Sequence, residues 1–249
     1  MRNILDTPLE VQAPVSTCSG CRVSELCLPF GLDSEGTRRL ESLMLPRTRV
    51  KKGTSLFCQG ASFETLYAVR AGFFKTTMIT QVGRDYISGF HMQREMLGLD
   101  AVTAERHFCN AIALEDSVVC GINFSQLEQL SQEFPALQRN MNKLMSQEVV
   151  NSRSILFMIG SMSSDERLGA FLLSLSYRYG IRGYSPYFFS LRMRREEIAS
   201  HLGLRKETIC RSLSRLRELS LVHVSGRDVE ILNLPKLKHH AAGCDRPSP

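Results

Sequence analysis

The sequence predicts an α+β fold in three successive parts: a roll of short β strands, one long helix, and a C-terminal winged helix-turn-helix. Three observations predict it. Short alternating segments recur between glycines over residues 31–130. The apolar period then changes from two residues to helical spacing at Leu137. Finally, a run around Ala199 and Gly203 has the small residue and the turn glycine that two closely crossing helices need.

The glycines of the first part are Gly53, Gly60, Gly72, Gly83, Gly89, Gly98 and Gly121, and segments such as 55–57, 66–69 and 86–90 read as strands between turns. Regular short strands with glycine turns predict a small barrel or roll. Beyond it, Leu137, Met141, Leu144, Met145, Val149, Ile155, Leu156 and Ile159 recur on one helical stripe over more than five turns. Such a helix needs a partner, either its own roll or a second copy of the chain. The helix-turn-helix favours the second copy, with Met141, Leu144, Met145, Val149, Ser152, Leu156 and Ile159 as the candidate dimer seam. Ser163 with Glu166 three residues on fits a capping box and opens the last part. A helix follows to about Tyr179, and residues 180–190 read as a loop. The expected division is a cysteine-bearing N-terminal segment 1–30, a β roll 31–130, a dimerisation helix 131–162 and a winged helix-turn-helix part 163–249.

The chain has 249 residues, 43% hydrophobic and 22% charged, with a net charge of +6. It is long enough for two modest domains. No apolar run approaches the ~20 residues of a membrane span. The first twelve residues hold no apolar signal region, so the expected location is cytoplasmic, with no membrane partner. Residues 190–249 carry twelve Lys/Arg against seven Asp/Glu, so most of the positive charge lies in the last quarter. That excess suits a polyanion, or a solvated basic surface.

In the helix-turn-helix, Ile198, Leu202, Leu204 and Ile209 fill the apolar positions about the turn. The second helix starts with Arg205 and Lys206, cations where the helix macrodipole favours anions, and Arg205 is a poor N-cap. Local folding rules are broken where a phosphate or base edge is the natural partner. Arg pairs in bidentate fashion with guanine and Glu accepts from cytosine, so Glu207 and Arg211 are the expected base readers. Arg205, Lys206, Arg215 and Arg217 suit phosphates or solvent. Thr208 and Cys210 complete the candidate DNA-binding set. The following stretch, turning at Gly226, reads as the hairpin wing. Residues 236–249 read as a frayed end.

Eight cysteines in a chain without an export signal point to metal rather than disulfides. Cys18, Cys21 and Cys27 are bunched as C-x2-C-x5-C. Chemistry alone ranks zinc first for such thiolates, ahead of an iron–sulfur cluster. The histidines, at 91, 107, 201, 223, 239 and 240, are scattered without catalytic or metal spacing, and no nucleophile–base–orienter set is visible. An enzyme is not expected.

Glycine-rich roll, long helix and winged helix-turn-helix, in that order, resemble the CRP/FNR family of transcription regulators, and the N-terminal cysteines resemble its oxygen-sensing FNR branch. The matching stretches include Cys27-Leu-Pro-Phe, Leu66-Tyr-Ala-Val-Arg-Ala-Gly, Ile87-Ser-Gly-Phe-His, Asp165-Glu-Arg-Leu and Glu207-Thr-Ile-Cys-Arg. The resemblance covers residues 18–232. It implies a cyclic-nucleotide-binding-like β roll and a [4Fe–4S] cluster held by Cys18, Cys21, Cys27 and Cys120. It also implies a homodimer on a TTGAT…ATCAA type of palindrome, release of DNA when oxygen degrades the cluster, and RNA polymerase contacts at 79–84 and 182–187. Zinc, or thiol–disulfide sensing, on the same fold is the alternative. Cyclic-nucleotide-binding relatives carry an Arg-Ser pair where this chain has Phe108-Cys109-Asn110-Ala111, and a Gly-Glu-Leu motif where it has Arg94-Glu-Met-Leu-Gly. No cyclic nucleotide is therefore expected.

The chain also departs from its relatives. Cys210 stands for the usual Ser, Arg205 for the usual Ser/Thr cap, and Ser152-Arg-Ser154 for a stretch with Asp. Losing carboxylates that would face each other across a seam favours pairing, so more dimer is expected without the cluster than in relatives. Arg22, inside the cysteine run, is expected to alter cluster potential or stability.

Overall fold

Strands β4 (Thr65–Ala71) and β5 (Phe73–Ile79) meet at Gly72, where the chain leaves one sheet for another. Gly72 has φ +97°, and a Cβ there would stand 2.1 Å from Ser117 Oγ. The same hydroxyl accepts from Phe73 N–H (3.3 Å) and donates to the Glu115 carbonyl (2.7 Å). The corner thus requires glycine both for its backbone and for room. The computed structural model describes residues 10–12, 28–80, 83 and 85–243.

Two antiparallel sheets make the roll. One runs β1 (Glu10–Gln12), β2 (Arg47–Val50), β9 (Ser117–Asn123), β4, β7 (Met96–Leu97). The other runs β3 (Ser55–Phe57), β8 (Asn110–Ala113), β5, β6 (Asp85–Met92). The predicted segments at 55–57, 66–69 and 86–90 lie within β3, β4 and β6. Val50, Phe57, Val69, Phe74, Ala111 and Val119 fill the space between the sheets. Two helices lie where only strands were expected. Helix α1 (Ser34–Ser42) is capped by Asp33, which accepts from Gly36 N–H at 2.7 Å, and α2 (Phe124–Glu133) by Asn123, which accepts from Gln126 N–H. Both bury apolar residues in a second cluster, with Leu28, Leu40, Leu66, Ile122, Leu127, Leu130 and Leu137.

Helix α3 spans Pro135–Ser161, 27 residues and about 40 Å at 1.5 Å per residue. Its proline sits at the first helical position, where the missing N–H costs nothing. The chain divides into two compact units, residues 1–150 and 151–249, and α3 contributes to both.

In the second unit α4 (Ser164–Gly180) opens with the predicted capping box: Glu166 Oε2 accepts from Ser163 N–H at 2.8 Å while Ser163 Oγ accepts from Glu166 N–H at 3.5 Å. Helices α5 (Arg195–Leu202) and α6 (Lys206–Glu218) follow, then the hairpin β11 (Val222–Ser225) and β12 (Asp228–Ile231), turning at Gly226. Two expectations are corrected. Part of the stretch read as a loop is β10 (Phe188–Ser190), which pairs with β12 and makes the wing three-stranded; its Ser190 hydroxyl donates to Asp228. And the end read as frayed holds α7 (Leu234–Ala241), capped by Asn233 and burying Leu237 and Ala241. A Cβ at Gly169 of α4 would stand only 3.3 Å from that of Ala241, so glycine lets the two helices lie close.

Candidate nucleic-acid interface and cysteine site

The turn between α5 and α6 is made at Gly203, with φ +64°, and closed by Leu204 N–H on the Ala199 carbonyl at 2.9 Å. Of the predicted apolar set Ile198, Leu202 and Ile209 are buried beside it, with the small Ala199, while Leu204 is half-buried. Arg194 N–H donates to Glu197 Oε2 at 2.6 Å, so a carboxylate rather than a capping side chain anchors the start of α5. Arg205 occupies the N-cap of α6 and makes no side-chain capping hydrogen bond among the described residues, as expected from its side chain.

Helix α6 turns Ile209, Ser212, Leu213 and Leu216 inward and leaves Arg205, Lys206, Glu207, Cys210, Arg211, Arg215 and Arg217 exposed, with Thr208 half-buried. Glu207 and Arg211, four residues apart, share one exposed face. Lys206 is engaged with Glu196 of α5 at 2.5 Å. Their hydrogen bond and mutual attraction hold the Glu196 carboxyl below, and the Lys206 ammonium above, their ordinary ranges. Arg215 meets Glu218 at 3.4 Å. One residue the sequence reading passed over is Arg195. It is half-buried and donates from Nη2 to the Gly226 carbonyl at 2.8 Å, tying the wing tip to the start of α5. Burial lowers its pKa, opposed by the nearby Cys210. The cluster Arg192-Met-Arg194-Arg195 was the available signal.

Along α3, Leu156 is 70% and Phe157 64% exposed, with Val149 and Val150 about half exposed. Phe157 and Val150 were not singled out from the stripe. Met141 and Leu144 pack on the second apolar cluster of the roll, while Met145 and Ile159 are intermediate and Ser152 exposed.

Cys120 lies in β9 opposite Ala68 of β4, half-buried at the edge of that same cluster. Cys18, Cys21 and Cys27 fall outside the described residues, but Leu28, one peptide beyond Cys27, is 3% exposed in the cluster that Cys120 borders. Among the described residues no three His, Cys, Asp or Glu side chains are grouped to hold a metal. Cys109 is buried and donates to Asp100 at 3.4 Å; burial first, then the carboxylate, pushes its thiol far up. Cys58 is half-buried and Cys210 exposed. Asp100 also accepts from Phe108 N–H at 2.9 Å, placing a fixed carboxylate on the amide next to Cys109.

Residues 47–134 match the cyclic nucleotide-binding domain and residues 166–240 the Crp-like helix-turn-helix domain. The chain is 37% identical over 230 residues to the transcriptional activator protein Anr of Pseudomonas aeruginosa, covering 92% of this chain and 94% of that protein. It is 37% identical over 216 residues to the fumarate and nitrate reduction regulatory protein of Escherichia coli, covering 87% and 86%. It belongs to the FNR branch of the CRP/FNR family. A third relative, the transcriptional regulatory protein Btr of Bordetella pertussis, is 39% identical, covering 89% and 91%. Among solved structures, FixK2 from Bradyrhizobium japonicum aligns with a TM-score of 0.71 at 24% identity, covering 82% of this chain and 98% of that one, a likeness of fold. As a member of the CRP/FNR family the chain is a DNA-binding transcription regulator and not an enzyme. Among the described residues no helix is long and apolar enough to cross a membrane.

Proposed function

We propose that this CRP/FNR regulator senses oxygen through a [4Fe–4S] cluster held by Cys18, Cys21, Cys27 and Cys120, and binds an FNR-type palindrome as a homodimer while the cluster is intact. The observation that carries the reading is the shared apolar cluster, which Cys120 borders, in which Leu28 is buried, and on which Met141 and Leu144 of α3 pack. Four thiolates are the donor set such a cluster needs, and the half-buried edge of β9 is a fitting place for one of them. When bound, the cluster supplies four iron–thiolate bonds and an oxygen-labile core. The chain does the rest. Cys120 ties the N-terminal segment to β9, Leu28 fills the cluster beside it, and α3 offers Leu156 and Phe157 to a second copy. Loss of the group would undo that tie and would weaken the dimer.

Two-fold pairing sets the recognition helices about 34 Å apart, one turn of duplex, for Glu207 and Arg211 to read base edges. Arg205, Lys206 and Arg215 serve phosphates, and Thr208 and Cys210 stand near the reading face. The exposed Tyr184 and Tyr187 support a polymerase contact at 182–187, and the exposed Ile79 one at 79–84. Asp100 supports the absence of a cyclic nucleotide: a carboxylate on the Phe108 amide repels an incoming phosphate and already uses the donor. Location in the cytoplasm follows from the DNA partner.

Anaerobic purification with iron and sulfide assays, followed by air exposure during a DNA shift assay, tests the proposal. Stoichiometric iron and sulfide, with binding lost in air, is expected. A colourless, zinc-loaded protein that binds DNA equally in air overturns it in favour of the zinc alternative, and reversible loss to oxidant without iron favours thiol chemistry.

A further inference from the structure

We infer that Asn140 is the positioning residue that couples the cysteine-bearing segment to the dimer helix. The inference rests on the cluster reading above and assigns it a joint. Asn140 lies in the second turn of α3 and is 9% exposed. Its side-chain amide nitrogen donates to the Leu28 carbonyl at 3.0 Å and to the Phe30 carbonyl at 2.6 Å, so both of its protons reach across more than a hundred residues to one short turn. That turn begins at the residue after Cys27. It is closed by Leu32 N–H on the Pro29 carbonyl at 3.1 Å.

The residue type is informative. Leu137, Met141 and Leu144, on the same side of α3, are apolar, and leucine is the default for a buried helix position among them. Asparagine is a poorer helix former, and burying its amide costs free energy unless the hydrogen bonds are made. It is explained by what it donates to. The turn carbonyls of Leu28 and Phe30 cannot be served by the helix backbone, whose N–H groups are already used in its own ladder. Leu28 is simultaneously held by packing with Leu40, Ile122 and Leu137, beside Cys120.

The consequence is that ligation and pairing share one fixture. If the turn withdraws, Asn140 loses both of its acceptors and the cluster beside Met141 and Leu144 loses Leu28. Both penalties fall on the start of the helix that carries the seam. Asn140 touches no ligand; it acts through Leu28 and Phe30.

The test uses the full chain, reconstituted anaerobically, and the variant Asn140→Leu, which keeps the volume and removes the donors. Iron and sulfide per chain, and dimer dissociation constants by sedimentation with the cluster and after chelation, are measured for both. Wild-type iron and sulfide content is expected in the variant, with the ratio of the two dissociation constants falling about tenfold, the effect of losing one to two net hydrogen bonds. A ratio within twofold of wild type overturns the inference. A second measurement needs no variant: hydrogen exchange of the wild type with and without the cluster. The amide of Leu32 and those of residues 140–144 are expected to lose protection together; loss at Leu32 with residues 140–144 unchanged also overturns it. A wild type that takes up no iron, or that dimerises equally with and without it, overturns the sensor reading and the coupling with it. Failure of the Asn140 arm alone leaves the sensor reading standing.

Discussion

Helices α3 and α6 each expose a face that asks for a partner, and the two faces ask for opposite chemistry. Among its exposed side chains α3 carries the large apolar Val149, Val150, Leu156 and Phe157, whereas α6 and its N-cap carry the charged Arg205, Lys206, Arg211, Arg215 and Arg217 around Glu207. Water satisfies the second set and not the first. The apolar face therefore gains chiefly in affinity from its partner. On the charged face, contacts to phosphates would add affinity without choosing a sequence, and discrimination would rest on the proposed base readers Glu207 and Arg211.

The largest expected effect is on the apolar face. Truncating Leu156 and Phe157 together to alanine removes about 2 kcal/mol of burial per side chain in each copy. The dimer dissociation constant should rise at least about a thousandfold by sedimentation, with the melting temperature of the isolated chain unchanged. An unaltered dimer would place the seam elsewhere. Next comes Arg211→Ala, expected to cost about 1–3 kcal/mol at each half-site and to flatten the preference for the palindrome over a scrambled duplex. A uniform loss on both duplexes would demote Arg211 to a phosphate contact. The inner face of α6 gives the third contrast. Ser212 is 1% exposed and its hydroxyl has no hydrogen-bond partner among the described residues, so Ser212→Ala should stabilise the second unit by about 1 kcal/mol. Thermal unfolding should report a rise of several degrees with DNA binding unaffected. Lys206→Gln is smaller. It should weaken every duplex alike and lower the salt slope by about one per half-site. No change in slope would leave Lys206 as the partner of Glu196 alone.

The smallest effect lies in the roll. His107 is buried, stacked on Phe57 at 3.7 Å, and its pKa is lowered from 6.5 by burial, partly opposed by Asp100. The unfolded chain takes up that proton more readily. The stability His107 contributes is therefore full above about pH 6.5 and declines as pH falls through that value toward the lower folded pKa. His107→Phe should remove that part of the slope in melts between pH 5 and 7; an identical slope would assign it to other groups.

Features whose cause is local were legible in the sequence. The Ser163–Glu166 capping box, the left-handed turn at Gly203, the hairpin at Gly226 and the change of period at the start of α3 each depend on a few adjacent residues. What was missed depends on distant partners. Phe188–Ser190 becomes a strand only because Asp228–Glu230 lies beside it, and residues 234–241 stay folded because Gly169 leaves room for Ala241. Asp33 and Asn123 were readable caps, but the glycine-and-strand pattern around them hid short helices. In the candidate site the basic face of α6 was visible as composition. Arg195 on the wing carbonyl, Asp100 on the Phe108 amide and Asn140 on the Leu28 turn were not, because a lone polar residue does not announce which carbonyl or amide the fold will bring to it.

Arg167, in the first turn of α4, donates from Nη2 to the Ile159 carbonyl at 2.7 Å, from Nε to that of Met162 at 2.9 Å and from Nη1 to that of Leu202 at 3.1 Å. One planar guanidinium thereby clamps the last turn of α3, the link after it and the end of α5. A planar fork with several fixed donors has little freedom to let one of these slip past another. The joint most expected to be slack, a helix end followed by a short connection, is instead splinted. The final turn of α3, the link after it and the end of α5 should therefore move as one piece, as on a keyed shaft.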